Sequence, residues 1–213
     1  MGIRLNTNDG SSQVVPLPIV TSGANKTVFF HKDESVDIAV IPVHLDHVKF
    51  QHKYIPVEWL LPTDRESKLK EGMEVFFQGL FTPYLGYRRN SPITRFGRIA
   101  LLTDEKIQFT QNAPPQRLHL LEMASFGGNS GSPVFLLGDP AQAGTVVISV
   151  RPKIYLIGVM KGTYRDVNRL IAIETAVTPA SLSSMGIAAV VPSQYLSEII
   201  YSKELKNSRR NGT

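Results

Sequence analysis

Nine short apolar segments, of four to eight residues, set the terms for what this chain can fold into: TVFF (27–30), DIAVIPV (37–43), MEVFFQGL (73–80), GRIALL (97–102), RLHLLEM (117–123), SPVFLL (132–137), GTVVISV (144–150), KIYLIGVM (153–160) and GIAAVVP (186–192). They are rich in Val, Ile and Phe, side chains that suit a pleated, half-buried surface, and Gly, Pro, Asn or Asp stands near most of their ends. No helices alternate regularly with them, so a parallel sheet is excluded. An antiparallel barrel or sandwich remains, and the class is mainly β.

One helix is expected. After Pro192, Ser193 is placed to cap QYLSEIIYSKEL, in which Tyr195, Leu196, Ile199 and Ile200 recur on one face. The polar stretches 6–13, 62–71 and 161–185 read as loops or connections. The chain has no internal repeat. Charge is dense and the apolar period lapses in PTDRESKLKEG (62–72), which divides the chain into 1–62, 63–191 and a helical end, 192–213.

Composition limits the partners. A chain of 213 residues with 42% hydrophobic and 19% charged residues makes one large or two small globular domains. No apolar run approaches the roughly 18 residues that cross a bilayer, so no membrane partner is expected and the chain reads as soluble. Its start, MGIRLNTNDG, holds no apolar signal segment; a bacterial protein of this kind would be cytoplasmic or periplasmic. The absence of cysteine removes disulfides, thiolate chemistry and cysteine-held zinc. The five histidines stand at no metal-ligand spacing, so neither metal nor cofactor is expected. A net charge of +5 is scattered except at KELKNSRRNGT, a stretch read as a solvated, frayed end rather than a nucleic-acid site.

The stretch GGNSGSPVF (127–135) carries chemistry. An acyl-transfer serine needs an exposed Oγ on a tight turn, with backbone N–H groups aimed at the oxyanion that forms beside it. Glycines at 127, 128 and 131 allow such a nest of donors, and Pro133 fixes the exit into the next strand. The hydrolase turn G-x-S-x-G does not fit, because Ser132 occupies its last glycine position and a strand follows.

GGNSGSPVF resembles the nucleophile loop of chymotrypsin-fold serine peptidases, in particular the bacterial trypsin-like and HtrA-like branches, and HKDESVDIAVIPV resembles that family's aspartate segment. VFFQGLFTP (75–83), ITRFGRIALL (93–102), YLIGVMKG (155–162) and MGIAAVVPSQYLSEII (185–200) extend the similarity over nearly the whole chain. The resemblance implies a double β-barrel with a C-terminal helix, a nucleophile at Ser130, an orienting carboxylate at Asp37 and oxyanion donors at the Gly128 and Ser130 N–H groups. It implies a peptide or protein substrate held among Ala124, Met160, Lys161, Gly162, Ile187 and Ala188. No carboxylate stands near the pocket base, so a small or medium apolar side chain is expected there.

The family's general base sits in a T-x-x-H-V segment before the aspartate, and no such segment is present. His44, His47 and His52 lie downstream of Asp37, His119 is in a strand, and His31, six residues before Asp37, is the least distant substitute. The expectation is a chain lacking the first strands of barrel one together with its base: a serine endopeptidase by resemblance, inactive as it stands. The alternative is an inactive relative that binds extended peptide beside 158–162.

Overall fold

The computed structural model describes residues 1–23, 25–142, 153–169 and 180–211. The chain opens with a hairpin of β1 (Gly2–Thr7) and β2 (Ser12–Pro16), and β1 also pairs with β5 (Phe50–Gln51). Its turn is closed by Asp9, which accepts from the Ser11 N–H at 2.9 Å, and Gly10 takes φ +86° there. The Thr7 hydroxyl, followed by Ser11, holds the Asp9 carboxyl at about 2. Between β1 and β5 comes a two-residue ladder of β3 (Phe29–Phe30) and β4 (Ala39–Val40).

The centre of the molecule is a closed antiparallel barrel. After the short helix α1 (Thr63–Glu66), the strands β6 (Glu74–Leu80), β7 (Pro92–Leu101), β8 (His119–Glu122), β9 (Pro133–Leu137), β10 (Ile154–Arg169) and β11 (Ala180–Pro192) close in the order β10-β11-β8-β7-β6-β9. The alternation in EVFFQGL sends Val75 and Phe77 inward, both fully buried, and leaves Glu74 and Gln78 outside. They meet Ile99, Leu121, Val134 and Ile157 in the barrel core. Each such side chain contributes about 1.5–3 kcal/mol by leaving water.

A second apolar cluster lies outside the barrel. Phe29, Val36 and Ile38 pack with Leu118, Ala189 and Val191, and with Ile199 and Leu205 from α2 (Ser193–Ile200) and α3 (Lys203–Asn211). Burial of Val36 and Ile38 turns the residue between them, Asp37, to the opposite, exposed face. One closed barrel with two small open sheets and terminal helices thus resembles part of a double-barrel arrangement.

Several local expectations change. The strands expected at 27–30 and 37–43 shrink to the residue pairs of β3 and β4, and the chain leaves the ladder well before His44. Most of 161–185 is not loop: residues 161–169 and 180–185 prolong β10 and β11 as a paired ribbon. The segment 144–150 lies outside the described residues. Pro192, not Ser193, holds the cap position of α2, with no side-chain cap bond; Ser193 is already the first helical residue. The basic end is helical rather than frayed, because Leu205 is fully buried against the second cluster and Glu204 pairs with Lys26 at 2.7 Å. None of the described helices is long and apolar enough to cross a membrane.

Candidate active site around Ser130

The loop between β8 and β9 is held from within by Asn129, which is 1% exposed. Its Oδ1 accepts from the Phe126 N–H at 2.9 Å and its Nδ2 donates to the Leu80 carbonyl at 2.9 Å, tying the loop to itself and to the end of β6. Gly128 takes φ +95°, and a Cβ there would stand 2.3 Å from Thr82 Cγ2. The position therefore excludes side chains on two counts. At the exit, the Gly131 N–H donates to Met160 O at 2.8 Å and the Met160 N–H to Ser132 O at 2.9 Å, fixing the loop against β10.

Ser130 is left exposed, and its Oγ donates to the Lys161 carbonyl at 2.6 Å. Neither the Gly128 nor the Ser130 N–H donates to any acceptor among the described residues. Asp37 reaches the same neighbour from the other side: Lys161 Nζ lies 2.5 Å from its Oδ2, and the Asp37 N–H donates to the buried Gln116 Oε1 at 3.1 Å. The lysine side chain is 8% exposed, the aspartate 71%. Lys161 Nζ also lies 5.5 Å from the centre of the Phe109 ring. One residue thus joins the two sequence-expected positions, its carbonyl bonded to Ser130 and its ammonium to Asp37. Sequence reasoning placed Lys161 on a pocket wall and missed this bridge. The available signal was a lone cation at the end of the apolar strand YLIGVM, which needs a counter-ion wherever it is buried.

The histidines are engaged elsewhere or apart. His31 is 7% exposed; its Nδ1 accepts from the Asp33 N–H at 3.0 Å, so Nε2 carries the proton and faces Glu198 Oε2 at 2.9 Å. That contact outweighs burial, which acts the other way, and holds the Glu198 carboxyl below its usual range. His119 is 2% exposed, with neither ring nitrogen hydrogen-bonded among the described residues and Glu66 Oε1 at 3.8 Å. Burial, with Arg117 beside it, holds its pKa at about 4, and burial pushes Glu66 up. His47 and His52 lie against each other, tilted by 40° with 4.4 Å between ring centres, and His44 is exposed. Among the described residues no histidine is bonded to Ser130 or Asp37.

The expected pocket residues separate. Ala124 lines an open pocket of about 690 Å³ with Ser125, Phe126, Gly97 and Gly186. Met160, 2% exposed, and Ala188, fully buried, belong to the barrel core. Gly162 and Ile187 are half-buried on the β10–β11 ribbon. Lys161 faces a different hollow of about 340 Å³, shared with Asp37, Phe30 and Gln116. Among the described residues no three His, Asp or Glu side chains are placed to hold a metal ion.

These features define a mainly β protein whose barrel is compatible with a peptidase-like scaffold, without an assembled Ser-His-Asp triad among the described residues. In comparisons with protein-family models, curated proteins and solved structures, the chain matches none.

Proposed function

We propose that this chain is a chymotrypsin-like serine-peptidase scaffold that receives extended peptides at the Ser130 loop and, with these 213 residues alone, does not hydrolyse them. The observation that carries the reading is the Ser130 hydroxyl, exposed beside two uncommitted N–H groups and donating its proton to a backbone carbonyl. The uncommitted Gly128 and Ser130 donors suit a carbonyl oxygen that gains negative charge. Attack by Ser130 also needs a proton acceptor, and a peptide carbonyl is far too weak a base for that role. The Asp37 carboxylate is occupied by Lys161. Binding is supported by the sheet: the β9 ladder ends at the pair Pro133–Val159 and the Ser130 loop takes both main-chain groups of Met160 and the Lys161 carbonyl, so β10 beyond Lys161 keeps β11 alone as a strand partner among the described residues. An extended peptide joins that edge through main-chain hydrogen bonds.

The same loop supports a second reading, a serine endopeptidase whose base comes from outside these residues. Ser130 then attacks the scissile carbonyl, Asp37 orients the imported imidazole, the Gly128 and Ser130 N–H groups hold the oxyanion, and a small apolar side chain lies near Ala124. A fluorophosphonate probe tests both: the second reading expects Ser130 to be labelled once the missing base is supplied as free imidazole, and the first expects none. The purified chain is expected to remain unlabelled over hours while still binding peptide. Prompt labelling that disappears in S130A would overturn the non-hydrolytic reading.

A further inference from the structure

The side of the Ser130 loop facing residues 81–91 combines exposed aromatic rings with unpaired positive charge. This segment, joining β6 to β7, is firmly anchored. Arg4 Nη1 donates to Gly86 O at 3.0 Å and Nη2 to Tyr87 O at 3.2 Å. Asn90 Nδ2 donates to Arg4 O at 2.7 Å, and the Ser12 hydroxyl to Arg88 O at 2.9 Å. Its tyrosines nevertheless face solvent: Tyr84 is 54% and Tyr87 94% exposed, edge to face at 5.9 Å. With Arg4 and Thr82 they line a groove of about 430 Å³. The Thr82 hydroxyl donates to Gly127 O at 3.0 Å, which sets the groove directly against the Ser130 loop.

Arg95 lies outside the lining of this groove and is linked to Phe81 through Phe126. Its guanidinium carbon lies 4.3 Å from the centre of the Phe126 ring, and Phe126 in turn lies 5.9 Å from Phe81. Arg95 is half-buried, its Nε is fully buried without an acceptor, and no carboxylate pairs with it among the described residues. Between Glu74 and Asp104 the chain contains Arg88, Arg89, Arg95 and Arg98 and no acidic residue. Arg98 has Glu74 at 3.8 Å and Arg89 bonds Gln51 at 2.8 Å, whereas Arg88 and Arg95 bond no side chain among the described residues. A guanidinium stacked on an aromatic face has shed water on that face and keeps a planar fork that a carboxylate fills in bidentate fashion. Exposed tyrosine beside arginine is also the composition in which binding energy concentrates.

We infer that the surface running from Arg95 past Phe126 and Phe81 into this groove takes an acidic peptide segment, with an Asp or Glu carboxylate of the ligand on Arg95 and its neighbouring residues over Tyr84 and Tyr87. The inference rests on the peptide-binding reading above and names the class of peptide. The test is fluorescence anisotropy of the full chain with a dye-labelled glutamate-rich decapeptide and its glutamine counterpart. The acidic peptide is expected to bind about tenfold more tightly, the equivalent of one charge-assisted contact. R95Q should bring the two within about twofold, R95K should leave an intermediate gap, and R98Q should leave the full gap.

Equal binding of both peptides overturns the acidic preference and spares the peptide cleft, whereas binding of neither overturns both. Should R95Q fail to fold, the comparison of the two peptides on the unmodified chain remains decisive. Displacement of the acidic peptide by a lower concentration of single-stranded oligonucleotide would overturn the inference in favour of a general polyanion site.

Discussion

The two halves of the Asp37–Lys161 pair should not be equally costly to remove. The lysine ammonium is nearly enclosed, at 8% exposure, while the carboxylate it meets is 71% exposed. D37A leaves an enclosed cation with only the Phe109 face for company among the described residues, and an uncompensated buried charge costs about 3 kcal/mol. K161M keeps the length of the side chain, places an apolar group where the ammonium was, and leaves a carboxylate that water solvates. Its cost is about 0–1 kcal/mol. The double variant D37A/K161M should therefore recover most of what D37A loses. Urea unfolding at neutral pH reads the difference: a gap of about 2 kcal/mol between the single variants moves the midpoint by about 1 M, with unchanged slopes. Should D37A be no more destabilising than K161M, the carboxylate is not what makes enclosure of Lys161 tolerable, and the bridge between Ser130 and Asp37 loses its physical basis.

Acid should weaken the fold through His119. Its folded pKa of about 4 lies below the ordinary value of 6.5, so in that interval the unfolded chain takes up a proton that the folded chain refuses. Stability falls as pH drops through that window, by about 3 kcal/mol in all; Glu66, pushed up by burial, works in the opposite sense and offsets part of it. Unfolding series at several pH values should show this slope, and a slope that persists in H119L would assign it elsewhere. Carboxyls held low, such as Asp9 and Asp139 at about 2, act only below this interval. G128A should cost about 2 kcal/mol and abolish peptide binding, since it strains a residue at φ +95° and collides with Thr82. Adding T82A should restore only the part due to the collision; full recovery would refute the backbone argument.

The barrel was legible because its strands carry their own signature: alternating or continuous Val, Ile and Phe between turn residues, as in EVFFQGL and PVFLL. What escaped depends on partners remote in the chain. The anchoring of the 81–91 segment comes from Arg4, more than eighty residues earlier. His31 is fixed by Glu198 across 167 residues, and Lys161 meets Asp37 across 124. The helix Lys203–Asn211 was hidden by its charge, because its one decisive residue is the buried Leu205.

Six strands joined in a ring leave no loose border from which the ring can peel, so the Ser130 loop is mounted on the most cooperative part of the molecule. Asp37 is mounted differently, next to a ladder of two residue pairs, with Val36 and Ile38 as its apolar fastening. The hollow beside Lys161 is thus bounded by the closed ring on one side and by the two-pair ladder on the other, and the ion pair of Lys161 with Asp37 joins them. Were that pair broken, the smaller ladder, with two residue pairs against six joined strands, is the side expected to yield.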